Sequence, residues 1–427
     1  MTLKKVVTAL AAAVALAVPG TASADVVTDW NNTLVDALLF EHTAPQPATR
    51  IGAIVQTSVF DAVNGIQQRY MQFHPEVLTT SPPRGASAPG AAAGAAYTAL
   101  VALFPAQTAT FDHQLAATLA ALSDDQDGGT SVAVARGLDW GATVAEAILA
   151  WRAGDDVTGA LLPPYVVQPL PSWQPTPPLF LMPVARQFAT MTPWSMTSPS
   201  AFLPEPSPAL SSARYTQDFN EVRAIGTSAT TPDLADEAAT ARFWAARFDT
   251  PVTMWNRVAR SLAVSRDVPL VYNARLFALL NVSMADAVIA VYNAKNTYDR
   301  WRPVTAIQHA DIDGNDATIA DPGWTPLLIT PAHQEYPSGH SGLSTAATTV
   351  LTAFFGDDTT FTVTSDALLD GGTRTYSSFS RAIDEIALAR VAGGIHFRFA
   401  CEAAQQMGEG IAEYAMANEM LVGHGNH

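Results

Sequence analysis

A mainly α-helical fold is predicted, with two helical halves joined by a proline-rich connection. Three observations predict it: apolar residues recur at helical spacing along most of the chain, alternating strand patterns are scarce, and thirteen of the 29 prolines crowd residues 161–210. The first helices are expected at Val26–Phe40 and Arg50–Ile66, the second carrying Ile51, Ile54, Val55, Val59, Val63 and Ile66 on one face. Ala91–Phe104, Phe111–Leu122 and Val132–Trp151 continue the pattern. Residues 161–210 hold too much proline for regular helices and read as a surface-wrapping connection, whose Trp173 and Trp194 argue for packing rather than disorder. Helices resume at Ala235–Phe248, Trp255–Val264 and Leu270–Trp301, then from Gly342 to Phe355, and from Ser380 to Met420 with a break at Gly393-Gly394. The organisation expected is a helical region over 25–160, the connection over 161–230, and a second helical region over 231–427 that carries the candidate site.

Residues 1–24 read as a secretory signal: Lys4-Lys5, an apolar run Val6–Val18, and Ala22-Ser23-Ala24 as a small-residue cleavage site. The expected location is therefore outside the cytoplasm, secreted or periplasmic, after cleavage near Ala24. The lone Cys401 can form no intrachain disulfide and reads as a packed thiol. Beyond the leader no stretch is read as the roughly 18 uncharged apolar residues that span a bilayer. The formal net charge is −16, and becomes −18 when Lys4 and Lys5 leave with the leader. So acidic a chain disfavours nucleic acid and anionic membrane surfaces as partners.

Three short motifs carry the chemistry: Lys295-x6-Arg302-Pro303, Pro337-Ser338-Gly339-His340 and Arg390-x5-His396. Together they supply three cations, a hydroxyl, a backbone amide and two imidazoles, the donor set that holds a tetrahedral oxyanion such as phosphate or vanadate. If residues 283–302 form one helix, the seven-residue spacing is roughly 700° of rotation and puts Lys295 and Arg302 on one face, with Pro303 at the helix end. Pro337 to Gly342 leads into a helix whose start offers free N–H groups to an anion, and Gly339 lets backbone approach a ligand. His396 follows the double glycine and is expected at a corner between helices.

The ordered trio resembles the signature of the vanadium-dependent haloperoxidases and type 2 phosphatidic acid phosphatases, which share one fold and one oxyanion site. The runs Arg275–Asn281, Ala285-Asp286-Ala287, Tyr298–Ile307, Gly394–Phe399 and Val59–Asn64 are similar to the soluble bacterial haloperoxidase branch. The resemblance implies a haloperoxidase-like fold of two helical bundles. It implies vanadate as cofactor, with phosphate as a competing isostere, held by Lys295, Arg302, Ser338, Gly339 and Arg390 and bonded to His396. His340 is then the proton carrier and Lys295 the group that polarises bound peroxide. Hydrogen peroxide, a halide and a small organic acceptor are the implied partners, and a homodimer is compatible with them. The same residues fit a secreted acid phosphatase in which His396 attacks phosphorus and His340 protonates the leaving group; an exported oxyanion binder without turnover is a third reading.

Two positions depart from the family pattern, Ala389 for serine and Ala400 for the aspartate that orients the second histidine. Glu402 is a poor substitute, because six residues beyond His396 a helix has turned to another face. The expectation is that His396 lacks a carboxylate partner, which favours a persistent metal ligand over a phosphatase nucleophile. Each site residue also has an ordinary reading: Lys295 and Arg302 as a solvated helix face, Arg390 as an ion-pair partner of Asp384 or Glu385, Ser338 as a helix cap, His340 as a turn residue. His333 is a candidate supporting residue beside the halide pocket, Tyr292 and Trp301 read as core aromatics, and Asp61, Asp286 and Asp299 are candidate orienting carboxylates.

Overall fold

The computed structural model describes residues 25–73, 75–124, 131–246, 248–367 and 372–423; the leader expected at 1–24 lies outside them. Thirteen α-helices and one β-hairpin make the fold among those residues. The first helix, α1 (Val26–Phe40), opens on a capping box in which Asp25 accepts from the Thr28 amide and Thr28 returns a bond to the Asp25 amide. Helix α2 (Pro45–Gln67) starts five residues before the predicted Arg50, because Pro45 at its first turn has no N–H to leave unsatisfied. Then come α3 (Ala88–Leu103), α4 (Thr108–Asp124) and α5 (Ser131–Trp151). Helices α3 and α5 touch backbone to backbone: a Cβ on Gly141 would stand 2.2 Å from the Ala91 carbonyl oxygen.

Over 152–212 only short 3-10 turns form, at Arg152–Gly154 and Arg186–Thr190. The segment is nonetheless tied down. Trp173 and Trp194 are buried. Asp286 accepts from the amides of Trp194 (2.7 Å), Ser195 (2.8 Å) and Met196 (3.1 Å) and from the Ser195 hydroxyl (2.6 Å).

Beyond it lie α6 (Ala213–Ile225), α7 (Ala235–Phe243), α8 (Pro251–Ser265), α9 (Leu270–Tyr298), α10 (Pro303–Gln308), α11 (Gly339–Phe355), α12 (Phe379–Ala392) and α13 (Arg398–Asn418). The hairpin pairs β1 (Phe361–Thr364) with β2 (Thr373–Tyr376), antiparallel. Helix α7 stops at Phe243, short of the expected Phe248. The 29-residue α9 is long and apolar enough to cross a membrane, contrary to the sequence reading, but 94% of its apolar window is buried inside the protein. It serves as the central helix of one hydrophobic cluster that draws residues from Val27 to Met420, on both sides of the proline-rich connection.

One expectation about the site fails here. Residues 283–302 are not one helix: α9 ends at Tyr298, Asp299 takes a left-handed conformation (φ 46°), and Arg302 is the N-cap of α10. Pro303 therefore begins a helix rather than ending one, as its fixed φ and missing N–H allow.

Candidate functional site

A cavity of about 250 Å³ opens between α2, α9, α11 and the loop before α11; His333, Gly339, His340, Arg390 and His396 line it, with Tyr292 and Val184 among its walls. Helix α11 reaches it with its N-terminus. Ser338 is buried at the N-cap position, yet its hydroxyl makes no capping bond; it accepts from the Ser341 hydroxyl (3.2 Å). The first-turn amides are thus left to another acceptor. A Cβ built on Gly339 meets nothing within 4 Å, so the glycine faces open space at that helix end. Behind it α11 and α13 touch through glycines: a Cβ on Gly408 would lie 2.3 Å from the Gly342 carbonyl oxygen.

The cations reach the site by separate routes. Lys295, fully buried on α9, donates to the carbonyls of Gln334 (2.6 Å) and Glu335 (3.0 Å). Arg302, delivered by the Asp299 turn, donates to the carbonyls of His333 (2.8 Å) and Ile395 (2.7 Å). Its Nη1 lies 3.1 Å from His396 Nε2 and its Nη2 2.9 Å from His333 Nδ1. Arg390, near the end of α12, donates from Nη1 to the Trp244 carbonyl (3.2 Å), and its buried Nε has no partner. Glu385 is not its ion-pair partner: that carboxylate holds Arg374, the Tyr376 hydroxyl and the Trp244 indole.

Burial first, and the Arg302 charge second, hold the Lys295 ammonium well below the ordinary lysine range. Burial brings Arg302 and Arg390 down to about 10, still protonated at neutral pH. An anion in this cavity would offset charges that the protein itself compensates with a single buried carboxylate.

The three imidazoles differ in what holds them. His396 sits in the corner between α12 and α13, as its place after the double glycine predicts. Arginine can only donate, so His396 Nε2 facing Arg302 carries the lone pair and Nδ1 carries the proton. By the same argument His333 Nδ1 accepts from Arg302, whose position that ring supports; its ring centroid lies 5.6 Å from that of Tyr292. His340 lines the cavity from the first turn of α11. Burial, assisted by Arg390, lowers its pKa well below the usual histidine range. Burial and neighbouring cations do the same for His333 and His396.

The expectation that His396 has no carboxylate partner is overturned. Glu335 Oε1 accepts from His396 Nδ1 at 3.0 Å and from the Phe397 amide at 3.0 Å, and the side chain is buried. Sequence reasoning missed it by seeking the carboxylate four residues after the histidine on a helix. A signal was present: Glu335 is the sole acidic residue between Asp321 and Asp357, three before Ser338. The other candidate carboxylates are engaged elsewhere. Asp61 accepts from the Phe73 amide, Asp286 holds 194–196, Asp299 accepts from the Tyr165 hydroxyl, and Glu402 pairs with Arg214. Trp301 packs in a second apolar cluster with Tyr215 and Tyr336, as expected, whereas Tyr292 is both buried and a wall of the cavity.

The profile of the VCPO second helical-bundle domain matches residues 275–423, which include all three motifs. No curated protein matches the chain in sequence. Among solved structures, that of the first bacterial vanadium-dependent iodoperoxidase is similar at 25% identity and a TM-score of 0.76, covering 93% of this chain and 98% of that one. Two structures of bacterial vanadium-dependent chloroperoxidase share the fold. The apo-type is 17% identical with a TM-score of 0.67, over 87% of this chain and 93% of that one. The holo-type is 18% identical with a TM-score of 0.64, over 93% of each. Residues 275–423 thus match the VCPO second helical-bundle domain, and the chain as a whole shares the fold of bacterial vanadium-dependent haloperoxidases.

Proposed function

We propose that the protein is a vanadate-dependent haloperoxidase that oxidises a halide with hydrogen peroxide to the hypohalous acid. The observation that carries the reading is the cavity itself, where an uncapped helix start, an open glycine and a buried guanidinium with an unpartnered Nε meet a histidine whose Nε2 bears a lone pair. That donor set fits an oxyanion held from several sides. Lys295, Arg302, Arg390, the Ser338 hydroxyl and the Gly339 amide would hold vanadate, and His396 Nε2 would make its one protein bond. When bound, vanadate supplies Lewis acidity toward peroxide without changing oxidation state.

The protein's own groups do the rest. Lys295 donates to the carbonyls of Gln334 and Glu335; a bound anion would favour its charged form against the burial that lowers it, and the third N–H of that form would polarise an oxygen of peroxide. His340, neutral in its buried setting, takes a proton from incoming peroxide and gives it to the oxygen that departs as water. The overall reaction, peroxide plus halide plus a proton giving hypohalous acid and water, balances without any net redox change in the protein.

A second reading, an acid phosphatase working through a phosphohistidine at His396, gains support from Glu335, because a carboxylate on Nδ1 raises the basicity and fixes the aim of an imidazole nucleophile. The deciding experiment loads the apoprotein with orthovanadate and assays peroxide-dependent oxidation of iodide, bromide and chloride, alongside phosphomonoester hydrolysis by the metal-free protein. Halide oxidation that requires vanadate is the expected result. Rapid hydrolysis with no halide oxidation would transfer the assignment to the phosphatase.

A further inference from the structure

Resting on the reading of this cavity as an oxyanion site, we infer that Glu335 is the positioning residue for His396, a carboxylate supplied by the segment before Ser338 instead of by the first turn of α13. The bond is two-pronged: Oε1 takes the Nδ1 proton of the ring and the amide of the next residue, Phe397, so it fixes the imidazole relative to its own backbone. Arg302 at Nε2 selects the same tautomer from the other side, and its N–H holds the Nε2 lone pair that a group bonding to the ring would take in its place.

The main chain around Glu335 carries the cations as well. The carbonyls of Gln334 and Glu335 hold Lys295, the carbonyl of His333 holds Arg302, and the Glu335 amide donates to the Arg300 carbonyl at 3.1 Å. Residues 333–335 thus bind both cations through backbone oxygens and the histidine through one side chain, so the relative placement of all three depends on one short segment. Ala400 has a different task. Its methyl packs in the second apolar cluster, and its carbonyl accepts from the Ser338 amide at 3.0 Å, holding the start of α11. A carboxylate there is not needed for His396, because the ring's Nδ1 is already taken.

The test uses the full chain, with Glu335→Gln as the isosteric variant and Glu335→Gln/Ala400→Asp as the rescue. Calorimetry measures affinity for orthovanadate and, separately, for inorganic phosphate. Proton NMR of the apoprotein follows the His396 Nδ1–H resonance, assigned by its loss in His396→Ala. The parent is expected to show that proton strongly downfield, as a charge-assisted hydrogen bond requires. Glu335→Gln should move it upfield and weaken both anions by about 10-fold or more. Restoring a carboxylate at 400 should recover part of the affinity, which a purely structural role for Glu335 would not allow. An unshifted resonance with unchanged affinity in Glu335→Gln overturns the inference. Should that variant fail to fold, a parent resonance at the ordinary imidazole position overturns it and a downfield one supports it. Parent protein that binds both anions but oxidises no halide refutes the haloperoxidase reading and leaves Glu335 in place; parent that binds neither anion refutes both.

Discussion

Arg390 is a buried guanidinium with no carboxylate within ion-pair distance among the described residues, and it keeps an unpartnered N–H. Such a group costs several kcal/mol to desolvate unless a counter-charge arrives, so its position makes physical sense as half of an interaction with an anion. Arg390→Ala should weaken vanadate or phosphate binding by about 1.5–3 kcal/mol, about 10- to 150-fold, measured by calorimetry. Lys295→Ala and Arg302→Ala should fall in the same range, and Lys295→Ala should also slow peroxide turnover at saturating vanadate. Unchanged affinity in all three would remove the cluster from the site. His396→Ala should leave the far-ultraviolet circular dichroism unaltered and reduce turnover by orders of magnitude; retained activity with native vanadate affinity would exclude His396 as the ligand.

At the scale of elements, the site is built where helices end. Helix α11 brings an amide-rich N-terminus, the turn after α9 brings Arg302, and the corner between α12 and α13 brings His396. Gly339→Ala tests the helix end directly. Its Cβ would enter open space, so stability should change by less than about 1 kcal/mol while the new methyl obstructs the anion. Thermal melts and vanadate titration, read together, check the pair of outcomes. Gly408 asks the opposite question. A methyl there collides with the Gly342 carbonyl at 2.3 Å, so Gly408→Ala should separate α13 from α11 and cost about 1–3 kcal/mol in urea denaturation, with a weakened site as a consequence.

For the whole molecule, the site leaves an electrostatic signature in stability. Burial, then the neighbouring cations, hold His333, His340 and His396 well below the ordinary histidine value. Unfolding returns them to titration near 6.5. Below that pH the unfolded chain binds protons the folded chain does not. Stability should therefore fall on acidification by up to about 1.4 kcal/mol per pH unit for each histidine. Glu335, raised by burial to about 7, acts in the opposite sense: its contribution is present at low pH and lost as pH rises through about 7. Glu419, also raised to about 7, and the buried Asp286, also raised, act with Glu335, so the histidine share is read against a variant that lacks one of the histidines. From pH 7 to pH 5 the urea midpoint at constant m should fall further, or rise less, in the parent than in His340→Gln; an identical pH dependence in the two would mean His340 is not held below the ordinary histidine value in the folded chain.

Much of this protein was legible in one dimension. Apolar periodicity placed Val26–Phe40 at its observed bounds, the double glycine marked the corner at His396, and the buried Trp173 and Trp194 showed that the proline-rich segment packs. Periodicity and glycine act over a few residues, which is why local pattern reports them. Of the motif residues, Gly339, His340, Arg390 and His396 line the cavity, while Lys295 and Arg302 are held beside it by the carbonyls of 333–335. What the tertiary structure decided was how they meet. Arg302 arrives through a left-handed turn at Asp299 that helical spacing could not reveal, since a non-glycine residue with positive φ leaves little mark in composition. Glu335 reaches His396 across 61 residues of chain, and a contact of that separation depends on the packing of α9, α11 and α13 rather than on any spacing within a helix.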